Sequence, residues 1–169
     1  MREDFRNVIQ TEFRQFEELF ASMMQSDNPL LGEVLDYVHS KRGKQLRPVM
    51  VLLSAGICRG ITTKTIETAT ALELMHTASL IHDDVVDNSP LRRGDKAVQE
   101  QWSNKVAILV GDYMLSKVIE LLAEVRSTTI LNIVSQMSAS LTSGELLQLH
   151  SGQSMWISEE QYLRIIKYK

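Results

Sequence analysis

Apolar residues recur at steps of three and four along nearly the whole chain, the spacing that gathers them on one face of an α-helix. Phe5, Val8, Ile9, Phe13, Phe16, Leu19, Phe20 and Met23 predict a first helix over about 3–25. Asp27-Asn28-Pro29 breaks it and starts a short second helix carrying Leu30, Leu31, Val34, Leu35 and Val38. A polar basic turn follows, Ser40-Lys41-Arg42-Gly43-Lys44. Pro48 suits the first turn of a third helix running through Val49, Leu52, Leu53 and Ile57 and closed by Arg59-Gly60. A long fourth helix, from about 63 to 87, ends at Asn88-Ser89-Pro90.

Beyond the basic loop Leu91-Arg92-Arg93-Gly94 the pattern predicts a short helix near 95–103 and a long one from Asn104. Another spans Thr128 to about His150, with a break or kink expected at Gly144. Ser158-Glu159-Glu160-Gln161 is a capping box that opens a last helix. Nothing reads convincingly as a strand or a repeat. The expectation is one all-α domain over 1–169, built from about eight helices.

The fourth helix changes the picture. Between Thr65 and His82 only Glu67 and Glu73 carry charge, so it is buried on most sides. It ends in Asp83-Asp84-Val85-Val86-Asp87, three carboxylates within about one turn. Asp83 and Asp87 share a face, and Asp84 lies about 100° round from Asp83. Acidic clusters at helix ends are commonly solvated surface. Here the apolar helix behind them makes a cavity the better setting, with a divalent cation relieving the repulsion. Mg²⁺ takes only one or two protein carboxylates and completes its octahedron with water and phosphate oxygens, which points to a phosphorylated ligand.

Cations stand near in sequence. His76 lies two turns before Asp83 on the same face, and Arg92 and Arg93 follow the cluster by a short loop. Gly43-Lys44-Gln45-Leu46-Arg47-Pro48 places two more cations at a helix entrance, where the backbone N–H groups add attraction for anions. Arginine pairs with two phosphate oxygens at once, and lysine acts as a point charge. Taken singly, a lysine–arginine pair is usually surface and a histidine on an apolar helix usually core. Two cationic groups and one anionic cluster this close are another matter.

Composition narrows the partners. The chain has 169 residues, 44% hydrophobic and 23% charged, enough for one core. A net charge of -3 argues against nucleic acid. Cys58 is the single cysteine, which excludes an internal disulfide and fits a reducing, cytoplasmic setting. The start, MREDFRNV, has no signal-peptide character, and the apolar runs Val49–Leu53 and Val106–Val110 are too short to span a bilayer.

These motifs together resemble the trans-isoprenyl diphosphate synthases, or polyprenyl synthetases. The likeness is carried by GKxxRP at 43–48, ELMHTASLIHDDVVDNSPLRRG at 73–94, VGDY at 110–113 and GELLQL at 144–149, in family order, with Lys169 closing the chain. The resemblance implies the N-terminal part of an isoprenoid synthase fold, a helical bundle around a central cavity. It implies that Asp83, Asp84 and Asp87 bind Mg²⁺ bridging an allylic diphosphate, with Arg92 and Lys169 also on that diphosphate. Lys44, Arg47, His76 and Arg93 would hold the diphosphate of isopentenyl diphosphate, and Gln148 would face the site. Gln45 departs from the Arg or Lys common at its position.

The implied reaction ionises the allylic diphosphate, adds the isopentenyl double bond to the cation and releases a proton. Ala78 and Ser79, five and four residues before the first aspartate, occupy the positions that limit product length in the family. Both are small, so a long-chain product is expected. A homodimer is implied for the full-length enzyme. Such enzymes also carry a second aspartate-rich motif, whereas after Asp87 only Asp95 and Asp112 remain. The chain also stops in mid-period after Ile165-Ile166-Lys167-Tyr168-Lys169. It is therefore expected to be a truncated synthase, inactive alone.

Other readings explain less. A non-catalytic or partner-dependent subunit of such a synthase is one. A metal phosphohydrolase built on His82-Asp83 with His39, His76 and Asp112 is another, but it leaves Asp84, Asp87 and the basic segments without a role. A class I terpene cyclase would share the aspartates and would not need the 43–48 cations.

Overall fold

The computed structural model describes residues 5–152 and 157–168. These are almost entirely helical, and the chain divides at Arg126 into two compact units, each described in turn.

The first unit begins with a 3₁₀ turn, Phe5–Ile9, which passes into α1, Gln10–Met23. The predicted first helix thus holds from Gln10, and its start is tighter. Phe13, Phe16 and Phe20 lie on its buried face with ring centroids 5.5 and 5.9 Å apart. Helix α2, Pro29–Ser40, starts as expected, with Pro29 in its first turn and Asn28 accepting a hydrogen bond from the Leu31 N–H at 3.1 Å. Helix α3, Leu46–Cys58, follows the basic turn, entered through Gln45 in the left-handed region at φ 51°.

Helix α4, Thr63–Val86, is the axis of this unit. Thr62 and Thr65 cap its start reciprocally, and Asn88, at φ 49°, turns the chain away after its end. Ala69, Ala71, Leu74 and Ala78 are wholly buried, because α4 packs against α1, α3 and most extensively α6, Asn104–Val125. Gly111 of α6 receives the His82 ring of α4, and any side chain there would collide with it.

The segment between α4 and α6 differs from expectation. Leu91–Arg92 (β1) and Asp95–Lys96 (β2) form a small antiparallel hairpin, with Arg92 opposite Asp95. Its turn is Arg93-Gly94, at φ 56° and 88°, the conformation a two-residue hairpin loop needs. Helix α5 is correspondingly short, Val98–Gln101. Strand pairs of two residues are too brief to show any alternation, so only the turn chemistry could have revealed them.

The second unit comprises α7, Thr128–Gly152, and α8, Glu159–Tyr168, which pack together. The predicted break at Gly144 is absent: α7 runs through it and Gly144 is buried. Ser158 and Gln161 cap each other at 3.2 and 3.1 Å, as predicted. Among the described residues no helix is long and apolar enough to cross a membrane.

Candidate diphosphate-binding site

The basic loop and α3 meet α4 across a recess lined by Lys44, Gln45, Arg47, Glu73, His76 and Arg93. All four residues expected to hold the isopentenyl diphosphate are therefore neighbours, although they come from three separate stretches of sequence. Gly43 is small for reasons of space. The Arg93 guanidinium lies where a Cβ would stand, and Arg93 Nη1 donates to the Lys41 carbonyl at 3.1 Å.

Charge and burial set the protonation of this recess. Burial, reinforced by the Arg47, Arg93 and Arg92 cations, lowers the His76 pKa from 6.5 to about 4. The ring is neutral at neutral pH and meets an anion as a hydrogen-bond donor. Glu73 is 7% exposed, and its carboxyl is pushed above 4.5 by burial, opposed by Arg47 and Arg93. Sequence reading missed Glu73 as part of the site. The available signal was a charged residue one turn before His76 in a helix with almost no others.

A second recess adjoins in the same unit and shares Glu73, His76 and Arg93, adding Thr77, Asp84 and Arg92. Here the aspartates part company. Asp84 is 4% exposed and takes Arg92 in a fork, with Arg92 Nε at 2.9 Å from Oδ2 and Nη2 on Oδ1. That hydrogen bond raises the Arg92 pKa further. Gln99 of α5, buried, donates to the carbonyls of Asp84 at 3.0 Å and Ser89 at 2.6 Å, closing the end of α4. Asp83 is half-buried, Asp87 is exposed, and neither lines a recess. Among the described residues no three His, Cys, Asp or Glu side chains gather at metal-binding distance.

Ala78 is wholly buried, and Ser79 is half-buried with its hydroxyl donating to the His76 carbonyl at 2.9 Å. Gln148 is an exposed residue of α7 in the second unit, and Lys169 lies outside the described residues. Of the phosphohydrolase alternative, His39 stacks on Phe20 at 5.8 Å, and His82 Nε2 lies 3.1 Å from the Ile108 carbonyl and 3.6 Å from Asp112 Oδ1. No third ligand joins that pair among the described residues.

The family model for polyprenyl synthetase matches residues 28–169. The chain belongs to the polyprenyl synthetase family. It is 32% identical to the octaprenyl diphosphate synthase of Haemophilus influenzae over 99% of its own length and 51% of that protein. It is 36% identical to heptaprenyl diphosphate synthase component 2 of Bacillus subtilis, over 96% of its length and 45% of that protein. A polyprenyl synthase from Caulobacter crescentus, solved with calcium and isoprenyl diphosphate, superposes with a TM-score of 0.93 at 33% identity. That superposition covers 98% of this chain and 50% of the other. The polyprenyl synthetase chain described here thus spans about half the length of the relatives it matches, and its all-α fold is theirs.

Proposed function

We propose that this chain carries the diphosphate-binding apparatus of a trans-prenyltransferase that extends an allylic diphosphate with isopentenyl diphosphate. The activity is that of a whole protein of the family, of which this chain spans a part. One observation carries the reading: Lys44, Arg47, His76 and Arg93 line one recess, and His76 and Arg93 also line the recess holding Arg92 and Asp84. Two anion-binding groups that share a wall suit a reaction between two diphosphates.

The roles follow from the chemistry of each side chain. Lys44, Arg47 and Arg93 neutralise the isopentenyl diphosphate, and neutral His76 donates to it, orienting the double bond toward the other recess. Asp84 holds the Arg92 guanidinium in a fixed plane, so that it stands ready for the charge that grows on the departing allylic diphosphate. The allylic C–O bond breaks with its electron pair leaving on diphosphate, the isopentenyl π electrons form the new C–C bond, and the resulting cation gives up a proton to the released diphosphate. Cys58, exposed at the end of α3, has no part in this.

Mg²⁺ would be held by Asp83 and Asp87, four residues apart at the end of α4, since one or two carboxylates are what this ion asks of a protein when phosphates supply the rest. Bound there with diphosphate, it would supply further charge neutralisation. A long-chain product agrees with the small residues Ala78 and Ser79 and with relatives named for octaprenyl and heptaprenyl products. A cytoplasmic homodimer is the assembly we propose. The name "component 2" of the Bacillus subtilis relative makes a second, different subunit the alternative to test by light scattering.

Calorimetric titration with inorganic pyrophosphate tests the basic recess directly. Arg47→Ala weakens binding by about 10- to 100-fold, the worth of a hydrogen bond between charged groups. Unchanged affinity in both Arg47→Ala and Arg93→Ala would remove the basis of the reading.

A further inference from the structure

The two basic segments, 43–47 and 92–93, are distant in sequence, and groups outside both bind them together. Three hydrogen bonds run between the end of α2 and the hairpin. The Tyr37 hydroxyl donates to the Lys96 carbonyl at 2.7 Å. Lys41 Nζ donates to Asp95 Oδ1 at 2.7 Å. Arg93 donates back to the Lys41 carbonyl at 3.1 Å. Lys41 is thus gripped at both ends: its ammonium holds one side of the hairpin turn and its carbonyl receives the arginine at the tip. The Tyr37 ring is itself fixed edge-on against Trp102 at 5.2 Å.

We propose that Lys41 and Asp95, backed by Tyr37, are positioning residues that set Arg93 in the diphosphate recess by locking the hairpin to the loop carrying Lys44. Neither lines the basic recess of Lys44 and Arg47, although both border the adjoining one that holds Arg92 and Asp84. The proposal rests on the diphosphate-binding reading and deepens it. Asp95 is the register partner of Arg92 and stands two residues past Arg93, so a tether at Asp95 restrains the turn between them. Exposed ion pairs add little to stability as a rule. This one joins two segments that bind one anion, so its effect falls on geometry. Arg93 occupies a left-handed residue position at the tip of a two-residue turn.

The sign of one substitution separates positioning from plain electrostatics. Asp95→Ala removes a negative charge near an anion site, and Coulomb attraction alone then predicts tighter binding of pyrophosphate. Positioning predicts the reverse. Calorimetry with pyrophosphate in EDTA is to be run on this chain, on Asp95→Ala and on the Lys41→Asp/Asp95→Lys exchange, which keeps net charge constant. The expected result is about threefold weaker binding in Asp95→Ala and near wild-type affinity in the exchange. Tyr37→Phe, which keeps the ring and loses one hydrogen bond, weakens binding by less. Tighter or unchanged binding in Asp95→Ala, or no recovery in the exchange, overturns the proposal while leaving the recess assignment intact. If the unsubstituted chain fails to bind pyrophosphate, the recess assignment itself falls, and the clamp with it.

Discussion

The acidic end of α4 and the basic entrance to α3 are both crowded with like charge, and they relieve it in opposite ways. At the acidic end the relief is internal: Arg92 sits on Asp84 in a bidentate pair, and Gln99 caps the backbone behind it. At the basic entrance the nearest acid, Glu73, is buried and raised in pKa, and the closest histidine is held neutral. On the proposed function, the first cluster is braced for a charge that arrives during reaction, and the second receives an anion. Arg92 and Arg93 are adjacent in sequence; Arg92 lines only the acidic-end recess of the two, while Arg93 lines both.

The comparison breaks most visibly in binding. Lys44→Ala, like Arg47→Ala, should weaken pyrophosphate by about 10- to 100-fold, whereas Asp84→Ala should change it far less in the absence of metal. Calorimetry in EDTA reads both.

Folding stability reverses the order. Asp84→Ala should cost about 1–2 kcal/mol in urea denaturation, less than for a fully buried pair because the side chain of Arg92 is 38% exposed. Asp87→Ala, at an exposed position, should stay within about 0.5 kcal/mol. Equal losses at the two aspartates would contradict the inward role of Asp84.

The pH dependence sharpens the basic side. His76 titrates near 6.5 when unfolded and at about 4 when folded, so the unfolded state takes up the proton first as pH falls. Its contribution is fully present above 6.5, is lost progressively down to about 4, and then levels. His76→Gln should remove that slope from the stability–pH curve. A slope unchanged by the substitution would place the titrating group elsewhere.

Glu73→Gln is the smallest and most pointed case. A carboxyl whose folded pKa is raised disfavours folding once ionised, so the amide should leave stability at pH 7 equal or higher by about 0.5 kcal/mol. It should also tighten pyrophosphate slightly. Weaker binding would mean that Glu73 organises Arg47 and Arg93 instead of opposing them.

Much of this was readable before any coordinates. The caps at Asn28 and Ser158, the apolar face of α1 and the near-continuous burial of α4 are local statements, and they hold in the fold. The grouping of Lys44, Arg47, His76 and Arg93 was also anticipated, through the family's motifs. What escaped was anything decided by a partner from elsewhere. Glu73 looked like one more helix charge, Lys41 was one residue of a polar basic turn, and Asp95 and Gln99 fell in a short predicted helix with no role of their own.

Periodicity, capping chemistry and motif spacing by themselves determined that the chain is helical, where most helices begin and end, and which residue types carry the chemistry. These depend on neighbours within a turn or two, and such neighbours are written in order along the chain. Only the tertiary structure decided that Asp84 is the buried aspartate, turned inward onto Arg92, and that Arg93 reaches the basic recess as well as that of Arg92. Those outcomes hang on a two-residue turn with positive φ and on packing across more than fifty residues of sequence, from Lys41 to Asp95. A linear pattern holds no distance between such residues, and it is distance that selects the partner of a charge.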